Sequence, residues 1–235
     1  MKLRAVLAIV VCVFITGCAA RIIDMTRVQY HNEAFTAVEL QQGGLALLPI
    51  TAGQGQEGYR RPLGDYLNQH LSDAVPGGTT MTWQAAMDSI NAQDMVTVYE
   101  DIIEGYRTTS IINRMKVKEL YSALGTRYAL YCALQDYTED SKTSYNLFSG
   151  WNTTKTANVS AQCLVMDLVT GDIVQEVIGQ AQSVAGDMQY NSPYEAYAES
   201  IAKSVLYQLP GSAVVVVDAT ARESSTNNAD SDEEW

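Results

Sequence analysis

Cys132 and Cys163 are the two side chains in this sequence best placed to react with one another. Each sits in a stretch where apolar residues alternate with others. Cys132 shares a face with Leu130 and Leu134, and Cys163 with Ala161 and Val165. In an antiparallel hairpin, opposed residues keep a constant sum. For 132 and 163 that sum is 295, which centres the hairpin between Leu147 and Phe148. A cross-strand disulfide is then feasible, given Cα atoms about 4.4–6.8 Å apart. Its role would be structural. Two buried free thiols, or a register that separates them, are the alternatives.

Other chemical signals are weaker. Gly53, Gly55 and Gly58 form a GxGxxG between an apolar run and a helical pattern, the setting in which backbone amides approach a pyrophosphate. Gln84 stands after Trp83 where an acidic residue would be needed, so the stretch is read as a flexible loop. His31 and His70 are the only histidines, without HExxH or paired Cys/His spacing, and no metal site is assigned. His70 borders an apolar helical stripe and reads as a packed or half-exposed side chain. No GxSxG elbow occurs. Asp136, Glu139 and Asp140 cluster at a strand end and read as a solvated turn. No catalytic residue and no cofactor is assigned, and the protein is not expected to be an enzyme.

The amino terminus carries an address. Lys2 and Arg4 precede an apolar segment from Ala5 to Thr16, too short for the ~20 residues of a spanning helix and suited to a secretory signal. The segment ends in Ile15-Thr16-Gly17-Cys18, which resembles the lipobox of bacterial lipoproteins. That resemblance implies cleavage before Cys18 and acylation of its thiol, making the membrane a partner through a lipid anchor. Two or three acyl chains suffice, at about 0.8 kcal/mol per buried methylene. Ala19 stands where many such proteins carry the aspartate of inner-membrane retention, so the resemblance implies the outer membrane, with the body facing the periplasm. ATP and reduced nicotinamides are not supplied there, and the compartment is oxidising.

Losing the leader takes two positive charges away and moves the net charge from −12 to −14. Such an acidic balance argues against nucleic acid as a partner. The mature chain is long enough for one domain with a substantial core.

The elements that would position these residues follow from periodicity. Gly44 to Ile50 is a continuous apolar run of strand length. Leu63, Tyr66, Leu67, His70, Leu71 and Val75 fall on one helical face, stopped by Pro76-Gly77-Gly78. Thr79 to Trp83 is a short strand. Gln84 to Gly125 reads as helical pieces, the last capped by Gly125. Alternation then marks strands over 127–137, 158–168 and 173–184, with a tight turn at Val169-Thr170-Gly171-Asp172. A final amphipathic helix runs from Tyr194 to Leu209, followed by a β-prone run at Val214 to Val217. The expected organisation is a signal peptide at 1–17, a lipidated tether with some early structure at 18–42, one α/β domain at 43–218 and a disordered acidic tail at 219–235.

Two stretches carry a family resemblance: Leu124-Gly125-Thr126-Arg127-Tyr128-Ala129-Leu130, and the hairpin from Val165 to Val174. They resemble the periplasmic lipoprotein domain shared by the curli-secretion CsgG family, the lipoprotein activators of penicillin-binding proteins and the TolB amino-terminal domain, over roughly residues 44 to 209. The resemblance implies an α/β fold, an α+β sandwich with a mixed sheet, an antiparallel hairpin run and helices packed on it. It also implies a non-catalytic assembly or regulatory module that works through contacts with an envelope protein. CsgG itself adds amphipathic hairpins that line a pore, at ~9–11 alternating residues per strand. The one insertion here, Thr138 to Ala157, is mostly polar, and a pore is not expected. Its tip holds Tyr145, Phe148 and Trp151, either as partner anchors or folded back and buried. The alternatives are a self-assembling homo-oligomer of CsgG type and a small envelope hydrolase.

Overall fold

A computed structural model describes residues 21–146, 150–185 and 194–216. Cys18 and Phe148, together with the leader and the acidic tail, lie outside the described residues. The strands are β1 (Arg21–Asp24), β2 (Arg27–His31), β3 (Leu45–Leu47), β4 (Thr51–Ala52), β5 (Thr80–Met81), β6 (Tyr128–Asn146), β7 (Gly150–Asp167) and β8 (Asp172–Ala185). The helices are α1 (Ala37–Gly43), α2 (Arg60–Ala74), α3 (Trp83–Ala92), α4 (Val96–Thr109), α5 (Arg114–Leu124) and α6 (Tyr194–Tyr207).

The eight strands form one mixed sheet in the order β1-β8-β7-β6-β3-β5, with β2 also on β8 and β4 also on β6. The long strands β6, β7 and β8 make an antiparallel meander, while β3 runs parallel to both β6 and β5. Helices cover both faces. On one, Leu63, Leu67 and Leu71 of α2 and Tyr197, Ile201 and Val205 of α6 pack over Leu130, Cys132 and Val165. On the other, Ile90, Ile102, Val117 and Leu120 from α3, α4 and α5 pack over Ala129, Tyr131 and Met166. Leu45, Ala46 and Leu47 are fully buried because β3 is enclosed on both faces. Each such leucine contributes roughly 1.5–3 kcal/mol by leaving water.

Local chemistry sets the helix limits. Thr82 caps α3 by accepting from Ala85 N–H at 3.3 Å, and Asn113 caps α5 by accepting from Met115 and Lys116. Gly125 closes α5 at φ 65°, a conformation glycine adopts without steric cost.

The β7–β8 turn explains the second family-like stretch. Asp167 Oδ1 accepts from Val169 and Thr170 N–H at 2.8 and 3.2 Å, and Oδ2 accepts from the Arg127 guanidinium at 3.0–3.1 Å. Arg127 also pairs with Glu39. Gly171, at φ 77°, lies so close to α5 that an added Cβ would stand 2.4 Å from Arg114 O. The motif therefore records a turn and a close contact, both structural.

The stretch read as a tether with some early structure holds three elements from Arg21 onward: β1 and β2 extend the sheet along the outer edge of β8, and α1 follows. They carry little apolar periodicity because β2 is exposed throughout. Two expectations change. The apolar run at 44–50 is divided, with β3 ending at Leu47 and β4 resuming at Thr51. The polar insertion expected as a loop at Thr138 to Ala157 is paired strand, so Asp136, Glu139 and Asp140 lie in β6 rather than in a turn. Backbone hydrogen bonds hold this extension where neither face is apolar enough to announce a strand.

Candidate interaction arm

The meander's first two strands outrun their neighbours. At the root, alternate residues of β6 bury Leu130, Cys132 and Leu134 against one helical layer and Tyr131 against the other. Cys132 stands directly opposite Cys163, with Cα atoms 4.1 Å and sulfur atoms 2.16 Å apart. The register shifts by one between Leu134 and Asp136, a bulge at Gln135 that bends the ladder as it leaves the core. Beyond it the pairing continues from Asp136–Ser160 to Asn146–Gly150.

Neighbouring strands fall away in steps. β4 accompanies β6 only to Leu134, and β8 accompanies β7 only to Lys155. The pairs from Lys142–Thr154 to Asn146–Gly150 have no further strand beside them among the described residues. Isolated two-stranded ladders are marginal in water. This one grows out of a buried root and a braced shoulder.

Three tyrosines from three elements form that shoulder. Tyr137 on β6 packs against Tyr59, before α2, at 4.4 Å between ring centroids. It meets Tyr194, the first residue of α6, edge-on at 5.3 Å. Tyr59 and Tyr194 close the triangle at 4.7 Å. Such pairs add about 0.5–1.5 kcal/mol each beyond area burial. Burial pushes the Tyr194 phenol well above its ordinary range, and its hydroxyl has no hydrogen-bond partner. Nothing in the sequence flags this cluster, since its members are separated by dozens of residues.

On the opposite face, a polar cavity of about 260 Å³ lies between β4, β6 and α4. Tyr131 and Thr51 share a bond of 2.5 Å, and Gln162 Nε2 donates to Tyr106 and to Glu176. Burial raises the pKa of Tyr131 and of Tyr106, so both stay un-ionised at neutral pH. The cavity offers polar contacts and no activated nucleophile.

At the far end Tyr145 is 59% exposed and pairs across the ladder with the backbone of Trp151. The structure thus brings two of the three tip aromatics to one level of the arm. Asp136, Glu139 and Asp140 are exposed along β6, where Glu139 accepts from the Tyr137 hydroxyl.

The remaining signals stay apart. His70 Nδ1 is 4.0 Å from Asp73 Oδ2, and Nε2 is buried without a partner, so no serine hydroxyl is bonded to it. His31 stacks near Phe35 on β2. Gly55 and Gly58 of the GxGxxG have open space where a side chain would be. Among the described residues, no group of three or more His, Cys, Asp or Glu is placed to hold a metal ion, and no helix is long and apolar enough to cross a membrane.

Fold and site together define a three-layer α/β domain with a projecting two-stranded arm. No protein-family model matches the chain, and no curated protein matches it either. Solved structures of similar shape include the PelC dodecamer from Paraburkholderia phytofirmans, at 13% identity and a TM-score of 0.46 over 80% of this chain and 99% of that one. The lipoprotein GNA1162 from Neisseria meningitidis is 16% identical, with a TM-score of 0.37 over 70% of this chain and 95% of that one. The carboxy-terminal domain of LpoB from Escherichia coli is 14% identical, with a TM-score of 0.32 over 60% and 83%.

Proposed function

We propose that this is an envelope lipoprotein, anchored in the outer membrane through acylated Cys18 with its body in the periplasm. It acts as a non-catalytic assembly or regulatory module that engages a protein partner through the β6–β7 arm. The arm carries this reading. A chain gains little stability from a polar two-stranded extension whose described side chains, from Lys142 to Tyr145, are exposed. Among the described residues, five pairs stand clear of any third strand, and the ladder ends in aromatics, the residue types that dominate contact energies. Tyr145, Phe148 and Trp151 are the proposed contacts, and a Cys132–Cys163 disulfide braces the root.

Geometry narrows the partner. β1 is antiparallel to β8, β8 to β7 and β7 to β6, so the amino end of β1 and the free end of the arm share one end of the sheet. Cys18 precedes Arg21 by three residues, a reach of about 10 Å at most. Anchor and arm therefore emerge together, and the expected partner is itself membrane-associated.

Photo-crosslinking in intact cells tests this, with a reactive amino acid in place of Phe148. A single adduct with another envelope protein is expected and names the partner. A ladder of self-multiples would replace the adaptor with a self-assembling component, and absence of any adduct would end the partner-anchor reading of the tip.

A further inference from the structure

A second site lies between the first turns of α2 and α3. From β3 the chain passes through β4 into α2 on one face of the sheet, and from β5 it turns into α3 on the other. Adjacent parallel strands whose connections part in this way leave a crevice at their carboxyl ends, the usual ligand position in open α/β sheets. Here the crevice measures about 250 Å³ and is lined by Ile50, Arg60, Arg61, Gly64, Trp83 and Met87.

Its composition is amphipathic. The floor is apolar: Ile50 is buried, and Gly64 lets the Trp83 indole close in, since a Cβ there would stand 3.0 Å from Nε1 and 3.3 Å from Ile50 Cδ1. Both charged residues of the lining are arginines, in a chain whose net charge is −12. Arg61 is 82% exposed and reaches Asp65 only at 3.9 Å. Arg60 makes no ion pair within 4.0 Å among the described residues, although Glu57 lies within its electrostatic reach. The Glu57 carboxylate is itself engaged by Gly55 N–H at 3.1 Å. Two guanidinium forks beside an apolar floor suit carboxylates carried next to an aromatic ring, because guanidinium bonds carboxylate oxygens and also stacks on ring faces.

The chain itself contains such a segment. Residues 230–235 bring together Asp230, Asp232, Glu233, Glu234 and Trp235, and Arg222 is the one cation after Val216, where the described residues end. Length permits the contact. Ala213 N–H donates to Asp73 O at 2.9 Å, so the chain leaves the domain beside the carboxyl end of α2, while the crevice lies at the amino end of the same helix. Asp73 and Arg60 are about 20 Å apart along that helix. The step from Ala213 to Val216 adds at most about 10 Å, and the chain from Val216 to Asp230 can reach up to about 46 Å. A tether of this kind gives an effective concentration on the order of millimolar, which favours the chain's own segment over a free acidic peptide. We propose that the crevice holds the acidic segment 230–235 of the same chain, with carboxylates on Arg60 and Arg61 and the indole over the apolar floor. This latch rests on neither the lipid anchor nor the arm.

The test uses the purified full-length chain with benzoylphenylalanine in place of Trp235, which keeps an aromatic ring at that position and crosslinks on irradiation. Protein grown on light nitrogen is mixed with an equal amount grown on heavy nitrogen, and the crosslinked peptides are mapped by mass. Crosslinks to Met87 and the residues around it are expected, within light chains or within heavy chains only. Arg60→Glu/Arg61→Glu should lower their yield at least fivefold, and so should Asp230→Lys/Asp232→Lys/Glu233→Lys/Glu234→Lys. The two sets combined should restore it, which a variant that merely fails to fold would not do. Salt at about 1 M should lower the yield of the unaltered chain, since exposed charge pairs are screened. Absence of a crosslink, crosslinks away from the crevice, an unchanged yield in the arginine variant or no restoration in the combined one would overturn the latch. Crosslinks between light and heavy chains in statistical proportion would overturn the same-chain occupant and assign the segment of a second copy.

Discussion

The inner and outer halves of the β6–β7 hairpin share one continuous ladder and almost nothing else. Inside, Leu130, Cys132, Leu134 and Val165 are within the core on one face, while Tyr131, Leu164 and Met166 serve the other. Outside, Glu139, Asp140, Lys142, Thr143 and Ser144 are exposed on both faces. Backbone hydrogen bonding is the same in both halves, so stability should come from the half where apolar area leaves water. In the proposed function the outer half serves recognition, and its described side chains from Thr138 to Tyr145 lie outside both core clusters.

The sharpest way to break that contrast is at the root. Leu130→Ala should lower unfolding stability by about 2–5 kcal/mol, since the side chain is 1% exposed and enclosed by two helices. Urea denaturation measures it, and a loss below about 1 kcal/mol would mean that the root is not where the hairpin is held. The cysteine pair comes next. Their separation of 31 residues makes replacing both by alanine cost about 3–4 kcal/mol in the chain-entropy account. Maleimide labelling of the unreduced, denatured protein should find neither thiol. Labelling of both would replace the proposed disulfide by two buried thiols.

Which parts of this hairpin were legible in the sequence follows from burial. The root alternates because each of its faces meets a helix layer, so strands at 127–137 and 158–168 could be read, and the opposition of Cys132 to Cys163 was one of the registers that the alternation left open. From Thr138 to Ser144 the described side chains are polar and exposed, and such a run looks like a loop. β2 was hidden for the same reason, being an exposed edge strand. The tyrosine shoulder and the arginine crevice were illegible for another reason: each is assembled from elements distant in sequence, and only the topology brings Tyr59 to Tyr194 or Arg60 to Trp83. Where the chain wrote a period, it could be read; where the fold supplies proximity, it could not.

A smaller effect sharpens the contrast through pH. Burial raises the pKa of Tyr131 in the root, of Tyr194 in the shoulder and of Tyr99 on α4, which packs over the root. Unfolded tyrosine ionises near pH 10. Below that both states hold the proton and stability is fully present. Above it the unfolded chain releases protons that the folded protein keeps. Stability should therefore fall as pH rises past about 10, by roughly 1.4 kcal/mol per pH unit for each tyrosine held neutral. Absorbance at 295 nm should show a group of tyrosines that ionise only as the protein unfolds; smooth titration of all fourteen before unfolding would contradict their burial.

The smallest change in stability should come from the tip, and there it carries the most meaning. Tyr145 is 59% exposed and lies beyond the last residue of β8 that accompanies β7. Tyr145→Ser removes a ring that the core never touches, so the thermal midpoint should stay within what a shift of about 0.5 kcal/mol allows. The crosslinked adduct from position 148 should nevertheless weaken several-fold, because an aromatic anchor at an interface is worth about 2 kcal/mol or more. Loss of the adduct at constant stability would separate the two halves of the hairpin into one that folds and one that binds. Loss of both together would show that the arm is part of the folding unit, and an undiminished adduct would move the contact away from the tyrosine face of the tip.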